Sequence, residues 1–229
     1  MSIHPATDFV RAGEYDTLVA TMPCRFDAKV RFDTLLAHDV LFAPSITGEV
    51  LVSKTATIRC SHDVRVKRVL GSGQLHVDGD LICDSLTFNG VVRCSGVIRC
   101  AGDLVVNGML LNTRQVDADT VRVSGQMKAA TVRARLFRLR PLHSGLTNRF
   151  RMDGFDGVST VNHVIADDIE ARGLVCRALH AEQATLVDGC RIENVTCERT
   201  LISDSSSSLL LVGGGHRLER RESVVEHRV

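Results

Sequence analysis

Short apolar triplets repeat along most of this chain. From Cys24 onward, apolar residues alternate with variable ones in triplets such as 75–77 and 81–83, and two or three turn-forming residues follow each triplet. Side chains of a strand alternate between its two faces, so each triplet directs two residues inward and one outward. An α-helix would need apolar positions three and four residues apart, and that pattern is absent. The triplets therefore predict many short β-strands.

Glycines add a longer period to this pattern. Gly73, Gly90, Gly108 and Gly125 are separated by 17, 18 and 17 residues, and each interval holds three triplets. Glycine adopts positive φ at little cost, which suits a tight corner between strands. A repeat of this length is typical of a solenoid. The sequence predicts an all-β fold, a triangular β-helix (β-solenoid) with three strands in each of about nine coils.

The same pattern divides the chain into five segments. We expect an N-terminal tail at 1–23, a main β-solenoid at 24–140 and a loop at 141–163, where Pro141 and several glycines break the period. C-terminal solenoid coils follow at 164–203, and a flexible C-terminal tail at 204–229, in which LLLV is a candidate last strand. The loop is either an excursion from one continuous solenoid, which we favour, or a hinge to a second stack.

The composition fits a narrow aliphatic core. The chain of 229 residues is 44% hydrophobic but only 4% aromatic, with no Trp, whereas a globular core of this size usually contains more aromatic rings. The net charge of +1 argues against a general nucleic-acid binder. No apolar run reaches the ~20 residues of a membrane span, and the first residues carry no signal-peptide pattern. We expect a cytoplasmic protein, with membrane association left open.

Eight cysteines raise the question of disulfides or metal. No two are spaced as C-x-x-C, so the pattern does not indicate a zinc site, and no cofactor is predicted. The cysteines fall on the inward positions of triplets, which indicates reduced core residues. Cys83 and Cys100 are predicted to stack on neighbouring coils and are the pair best placed to oxidise.

Catalytic alternatives rest on few residues. A hexapeptide-type acyltransferase would need a catalytic histidine, for which outward His76 is the candidate. A polysaccharide lyase or hydrolase would use acidic pairs such as Asp78 with Asp80, or Asp117 with Asp119, but aspartate is also a common turn former. A phosphate-binding G-x-x-x-x-G-K-[ST] loop is absent. The sequence therefore predicts a protein that is not an enzyme.

The ends of the predicted solenoid suggest self-association. An uncovered end coil exposes strand edges, which pair readily with another chain, and solenoids that stay monomeric need polar caps. The sequence offers no amphipathic helix to close either end, so we expect end-to-end assembly into a filament. The candidate contact residues are Phe26, Phe32, Phe137 and Val195.

A basic strip is the second candidate surface. Six arginines lie within nineteen residues. They form either a solvated face or a strip that meets an anionic partner, such as a membrane surface, a nucleic acid or an acidic tail. The residues of this strip are Arg133, Arg135, Arg138, Arg140, Arg149 and Arg151.

At the level of motifs, the chain resembles the bactofilins, which are bacterial polymer-forming cytoskeletal proteins. The likeness rests on coils such as GQLHVDGDLI and GVIRCAGDLVVNG, on the aliphatic period of 17–18 residues, and on the segment HVIADDIEARGLVCRALHAEQATLVDGCRIENVTCERTL. That segment looks like the second half of the longer, two-part members. The likeness covers roughly residues 25–200.

The resemblance implies a right-handed β-helix that assembles without nucleotide into non-polar filaments. Such filaments scaffold cell shape, wall synthesis or positioning machinery, and family members reach the inner membrane or wall-synthesis partners through flexible tails. An aromatic residue near an end coil is linked to polymerisation in the family, which makes Phe26 or Phe137 the counterpart here. The many cysteines and outward arginines depart from the family pattern.

A second structural likeness concerns the Min-system division inhibitor. The coil from 101 to 130 is also similar to the β-helical half of that protein. The inhibitor carries a separate α/β domain before its β-helix, whereas here the triplets begin near residue 24. We keep it as an alternative to the bactofilin-like interpretation.

Overall fold

Every regular element of the structure is a β-strand. The computed structural model describes residues 3–142, 157–215 and 217–221, and no helix occurs among them. The strands are β1 (Ile3–Pro5), β2 (Phe9–Val10), β3 (Gly13–Ala20), β4 (Cys24–Phe26), β5 (Val30–Ala37), β6 (Leu41–Ala43), β7 (Ile46–Cys60), β8 (Val64–Val77), β9 (Leu81–Cys83), β10 (Ser85–Cys94), β11 (Ile98–Asn112), β12 (Gln115–Arg140), β13 (Ser159–Arg172), β14 (Leu174–Val187), β15 (Arg191–Asp204), β16 (Ser208–Gly213) and β17 (Arg217–Arg221).

The strands stack in parallel as the coils of a β-solenoid. Each strand pairs with the one a coil later, as Leu35 does with Leu51 and Leu86 with Leu104. About 12 turns result, so the predicted all-β solenoid is confirmed, while the estimate of nine coils is too low. The right-handed twist and the triangular cross-section stay predictions.

Columns of inward side chains, two for each of the three strand segments in a coil, form one continuous core. Residues at equivalent positions of successive coils lie directly over one another and are almost fully buried. Burying each Val or Leu contributes about 1.5–3 kcal/mol, so the stack is stabilised along its whole length. One column contains Leu18, Leu35, Leu51, Val69, Leu86, Leu104 and Val121.

The terminal segments depart from the predicted boundaries. The segment 1–23, predicted as a tail, contains β1, β2 and β3, and Leu18 and Ala20 are buried in the core. The segment 204–229 contains β16 and β17, which both pair with β15. The segment LLLV, predicted as a candidate last strand, lies in β16. The triplet pattern misses the other terminal strands because a strand can pair with an existing sheet edge without strict apolar alternation. They account for the additional coils.

The solenoid continues across the predicted loop. Strand β13 begins at Ser159, inside the segment 141–163, and pairs in parallel with β12 from Lys128↔Thr160 to Leu139↔Ala171. Strands β14 and β15 then stack on it in turn. The described coils before and after this segment therefore belong to one stack, which is the alternative that the sequence favoured.

Candidate assembly and interaction surfaces

The N-terminal end of the stack exposes apolar side chains. Strand β1 pairs with β3, and β2 pairs with β4, so these two strands form the outermost described coil. Ile3 is 69% exposed, Phe9 50% and Met22 51%. These exposed apolar side chains lie beside the last strands of a parallel stack. They form a surface suited to contact with another chain.

The C-terminal end has the same character. Strand β16 pairs with β15 through Ile192↔Leu209 and Val195↔Val212. Leu210 and Leu211 are 72% and 67% exposed, whereas Leu209 packs against the core. The two ends hold six of the ten large apolar residues that are exposed in the described structure: Ile3, Phe9, Met22, Leu210, Leu211 and Val212.

The four residues predicted as polymer contacts lie elsewhere. Phe26, Phe32, Phe137 and Val195 are all buried in the core. Phe137 lies in the middle of the stack, where it pairs with Ile169. Phe26, Phe32 and Val195 are each covered by a further coil. All four are therefore covered by neighbouring coils, because the strands extend one coil further at each terminus than the sequence placed them. Their role as polymer contacts stays a prediction.

Acidic neighbours neutralise most of the predicted basic strip. Arg135 donates two hydrogen bonds to the carboxylate of Asp119, from Nε at 3.0 Å and from Nη2 at 3.1 Å. Arg140 and Arg138 both meet Glu170, at 2.7 Å and 3.5 Å. The hydrogen bonds from Arg135 lower the pKa of Asp119, so this carboxylate stays ionised near neutral pH.

The other described arginine of the strip is Arg133. Arg133 lines a shallow depression beside Arg99 and Asp117. Arg149 and Arg151 lie outside the described residues. The described part of the strip is therefore mainly an ion-paired, solvated face rather than an open cationic surface.

A column of outward residues that includes several cations lies on another face of the solenoid. The outward residues of β2, β4, β6 and the strands stacked above them lie in register, one per coil. We call this set the cationic column. It consists of Phe9, Arg25, Phe42, Arg59, His76, Arg93, Leu111, Lys128, Thr160, Val175, Arg191 and Ser208.

Positive charge dominates the first half of the cationic column. Arg25 lies over the ring of Phe42, 5.6 Å from its centroid. Burial, together with the charges of Arg93 and Arg59, lowers the pKa of His76 below its ordinary value of 6.5, so the imidazole is neutral at pH 7. A cavity of about 560 Å³ runs along these residues, with Asp78 as the acidic residue in its lining.

Three of the four aspartates considered for catalysis have structural partners. Asp80 accepts a hydrogen bond from the backbone N–H of Val97 at 2.8 Å and pairs with Arg99 at 3.2 Å. Asp117 accepts hydrogen bonds from the amide of Gln115, and Asp119 is held by Arg135. Such contacts fix the corners of the coils.

The cysteines are free and buried, as the sequence predicted. Burial raises the pKa of Cys24, Cys60 and Cys94 to about 11, so these thiols stay protonated and unreactive. Cys83 and Cys100 pair on neighbouring strands, as expected from their spacing. No group of three or more His, Cys, Asp or Glu side chains suited to a metal ion occurs in the described residues.

Comparisons with known proteins add no identification. No protein-family model, curated protein or solved structure matches the chain. Among the described residues, no helix is long and apolar enough to cross a membrane. The candidate surfaces therefore rest on the sequence and the fold alone.

Proposed function

We propose that this chain is a non-catalytic structural protein that assembles end to end into nucleotide-independent filaments. The observation that carries the proposal is the concentration of exposed apolar residues on both terminal coils, from Ile3 at one end to Leu211 at the other. The described residues include no helix that covers either end. Stacking one copy on another would extend the parallel sheet and bury these side chains.

The resemblance to bactofilins supports the same role. Filaments of this kind would scaffold cell shape or wall-synthesis partners. Strand edges and apolar contacts need no nucleotide to associate, because hydrogen bonds and burial of apolar surface supply the free energy. The protein's main partner is then a second copy of itself.

Negative-stain electron microscopy of the purified full chain tests the proposal. We expect filaments from the unaltered chain, and single solenoids or short oligomers from Leu211→Glu, which places a charge on the C-terminal contact. Leu70→Glu is the matched control, because Leu70 is 37% exposed but lies on the side of the stack between β7 and β10. This variant is expected to form normal filaments.

Two results would contradict filament formation. The first is a chain that sediments as a monomer at every concentration. The second is a population of discrete trimers, which would favour the acyltransferase alternative. Equal loss of filaments in both variants would show that the end coil is not the contact.

A further inference from the structure

Three arginines of the cationic column are stacked at alternate coils without an acidic residue between them in the register. None of its residues is acidic, and Arg25, Arg59 and Arg93 form no ion pair with the described residues. On other faces, arginines such as Arg99 and Arg135 each have a carboxylate within 3.2 Å. An exposed row of uncompensated cations favours an anionic partner.

Apolar side chains alternate with these cations. Phe9 and Phe42 are 50% and 38% exposed, and they lie on either side of Arg25 in the register. Leu111 and Val175 occupy later positions of the same column. Basic residues interspersed with exposed Phe and Leu are typical of surfaces that lie in the interface of a lipid bilayer.

The shape of the column favours a bilayer over other polyanions. Neighbouring strands are ~4.8 Å apart, so Arg25, Arg59 and Arg93 recur about every 10 Å over about 20 Å of the column. The negative charges of a nucleic acid or an acidic peptide would have to be spaced to match these arginines. Lipid headgroups in a fluid bilayer move laterally, so they can meet any spacing of cations along a flat face.

We propose that this face of the solenoid binds the surface of an anionic lipid bilayer, with the rod lying along the membrane. Arg25, Arg59 and Arg93 contact the headgroup phosphates, and Phe9 and Phe42 enter the boundary between headgroups and acyl chains. Phe9 also lies on the N-terminal coil, but Arg25, Phe42, Arg59 and Arg93 lie on coils inside the stack, so a single chain and a filament both bind through them.

Vesicle co-sedimentation of the full chain tests this proposal. Vesicles of phosphatidylcholine alone are compared with vesicles containing about a third phosphatidylglycerol. We expect the unaltered chain to pellet only with the anionic vesicles. Each basic residue near an anionic surface strengthens binding about fivefold, so Arg59→Glu with Arg93→Glu is expected to weaken it by about 25-fold or more.

The matched control variant alters the net charge of the protein by the same amount, but at residues on other faces of the solenoid. Arg31 and Arg122 are exposed outward residues of β5 and β12, and Arg31→Glu with Arg122→Glu is expected to bind like the unaltered chain. Circular dichroism checks the fold of both variants. If the glutamate pair does not fold, Arg59→Gln with Arg93→Gln takes its place. Leu211→Glu is expected to keep vesicle binding while losing filaments, which separates this surface from the assembly contact.

Several results would overturn the proposal. These are no pelleting with anionic vesicles, no difference between the Arg59/Arg93 variant and the unaltered chain, and equal loss in the Arg31/Arg122 control. Binding of a fluorescent single-stranded oligonucleotide to the full chain is measured as a further test. If the oligonucleotide binds more tightly than the vesicles do, and the Arg59/Arg93 substitutions abolish that binding, a nucleic acid is the occupant of this face.

Discussion

At the scale of single residues, one corner of the solenoid depends on a ladder of glycines. Gly73, Gly90, Gly108 and Gly125 pair in register on successive coils, each with φ between +116° and +141°. A Cβ on Gly90 would overlap the carbonyl oxygen of Gly73. Both the backbone conformation and the close approach of the coils therefore require glycine.

Replacing one glycine of the ladder should destabilise the stack. We expect Gly90→Ala to reduce the free energy of unfolding by about 2 kcal/mol or more, because it adds an unfavourable φ and a backbone overlap. Chemical denaturation followed by circular dichroism measures the change. Gly213→Ala is the control, since a Cβ added at Gly213 would have no atom within 4 Å and its φ is not positive. Equal denaturation midpoints for the two variants would contradict the requirement for glycine at this corner of the solenoid.

At the scale of the element, a carboxylate holds β16 in place. Asp204, which is buried, accepts hydrogen bonds from the hydroxyls of Ser206 and Ser207 at 2.7 and 2.6 Å. It also accepts one from the backbone N–H of Asp188 at 2.9 Å. This turn leads directly into β16, which presents Leu211 at the end of the stack. The position of the proposed C-terminal assembly surface therefore depends on Asp204.

Removal of this carboxylate should loosen β16 more than the rest of the stack. Asp204→Ala leaves two hydroxyls and one amide without their acceptor, at a cost of about 1–3 kcal/mol. We expect hydrogen exchange to quicken in residues 208–213, while β7 and β8 stay protected. Asp33→Ala, which changes an exposed aspartate of β5, should leave exchange in 208–213 unaltered. If Asp204→Ala leaves the hydrogen-exchange protection of β16 unchanged, the carboxylate of Asp204 does not hold this strand in place.

The same contact predicts a pH dependence. Burial raises the pKa of Asp204, but the hydrogen bonds from Ser207, Asp188 and Ser206 outweigh it, and the pKa lies below its ordinary value of 3.8. Because the pKa of Asp204 is lowered in the folded state, the ionised carboxylate stabilises that state at pH values above the ordinary pKa of aspartate. This stabilisation is lost as the pH falls through the lowered pKa of the folded state. Exchange in β16 should therefore quicken below about pH 4, and Asp204→Asn should lack this step.

At the scale of the whole molecule, the two ends are chemically alike but different in sequence. The proposed filaments would therefore grow either head to tail or with alternating contacts between like ends, the arrangement that the resemblance to bactofilins implies. Ile3→Glu blocks one end and Leu211→Glu blocks the other. If like ends meet, each variant should form discrete dimers through its intact end.

Analytical ultracentrifugation of the two variants, alone and mixed, distinguishes these arrangements. Head-to-tail growth would instead leave each variant monomeric and produce dimers only in the mixture. Dimers in each variant alone support the non-polar arrangement. Long filaments from either variant alone would contradict assembly through the ends.

The sequence predicts the interior better than the surfaces. Periodic triplets identified the core columns, and the inward positions of Cys83 and Cys100 were correct, because burial imposes a regular pattern on each coil. The exposed apolar residues of β1 and β2 were missed because these terminal strands pair with an existing edge. The ion pairs of Arg135 and Arg140 were missed because Asp119 and Glu170 lie 16 and 30 residues away in the chain.

The sequence by itself determined that this chain is a parallel stack of short strands, since alternation and glycine spacing are local consequences of strand geometry. Only the tertiary structure decided which residues lie on the terminal coils and which cations have acidic partners. Those properties depend on the register between coils, which brings residues 15 to 18 positions apart into contact. The cationic column becomes visible only when Arg25, Arg59 and Arg93 are stacked on one face.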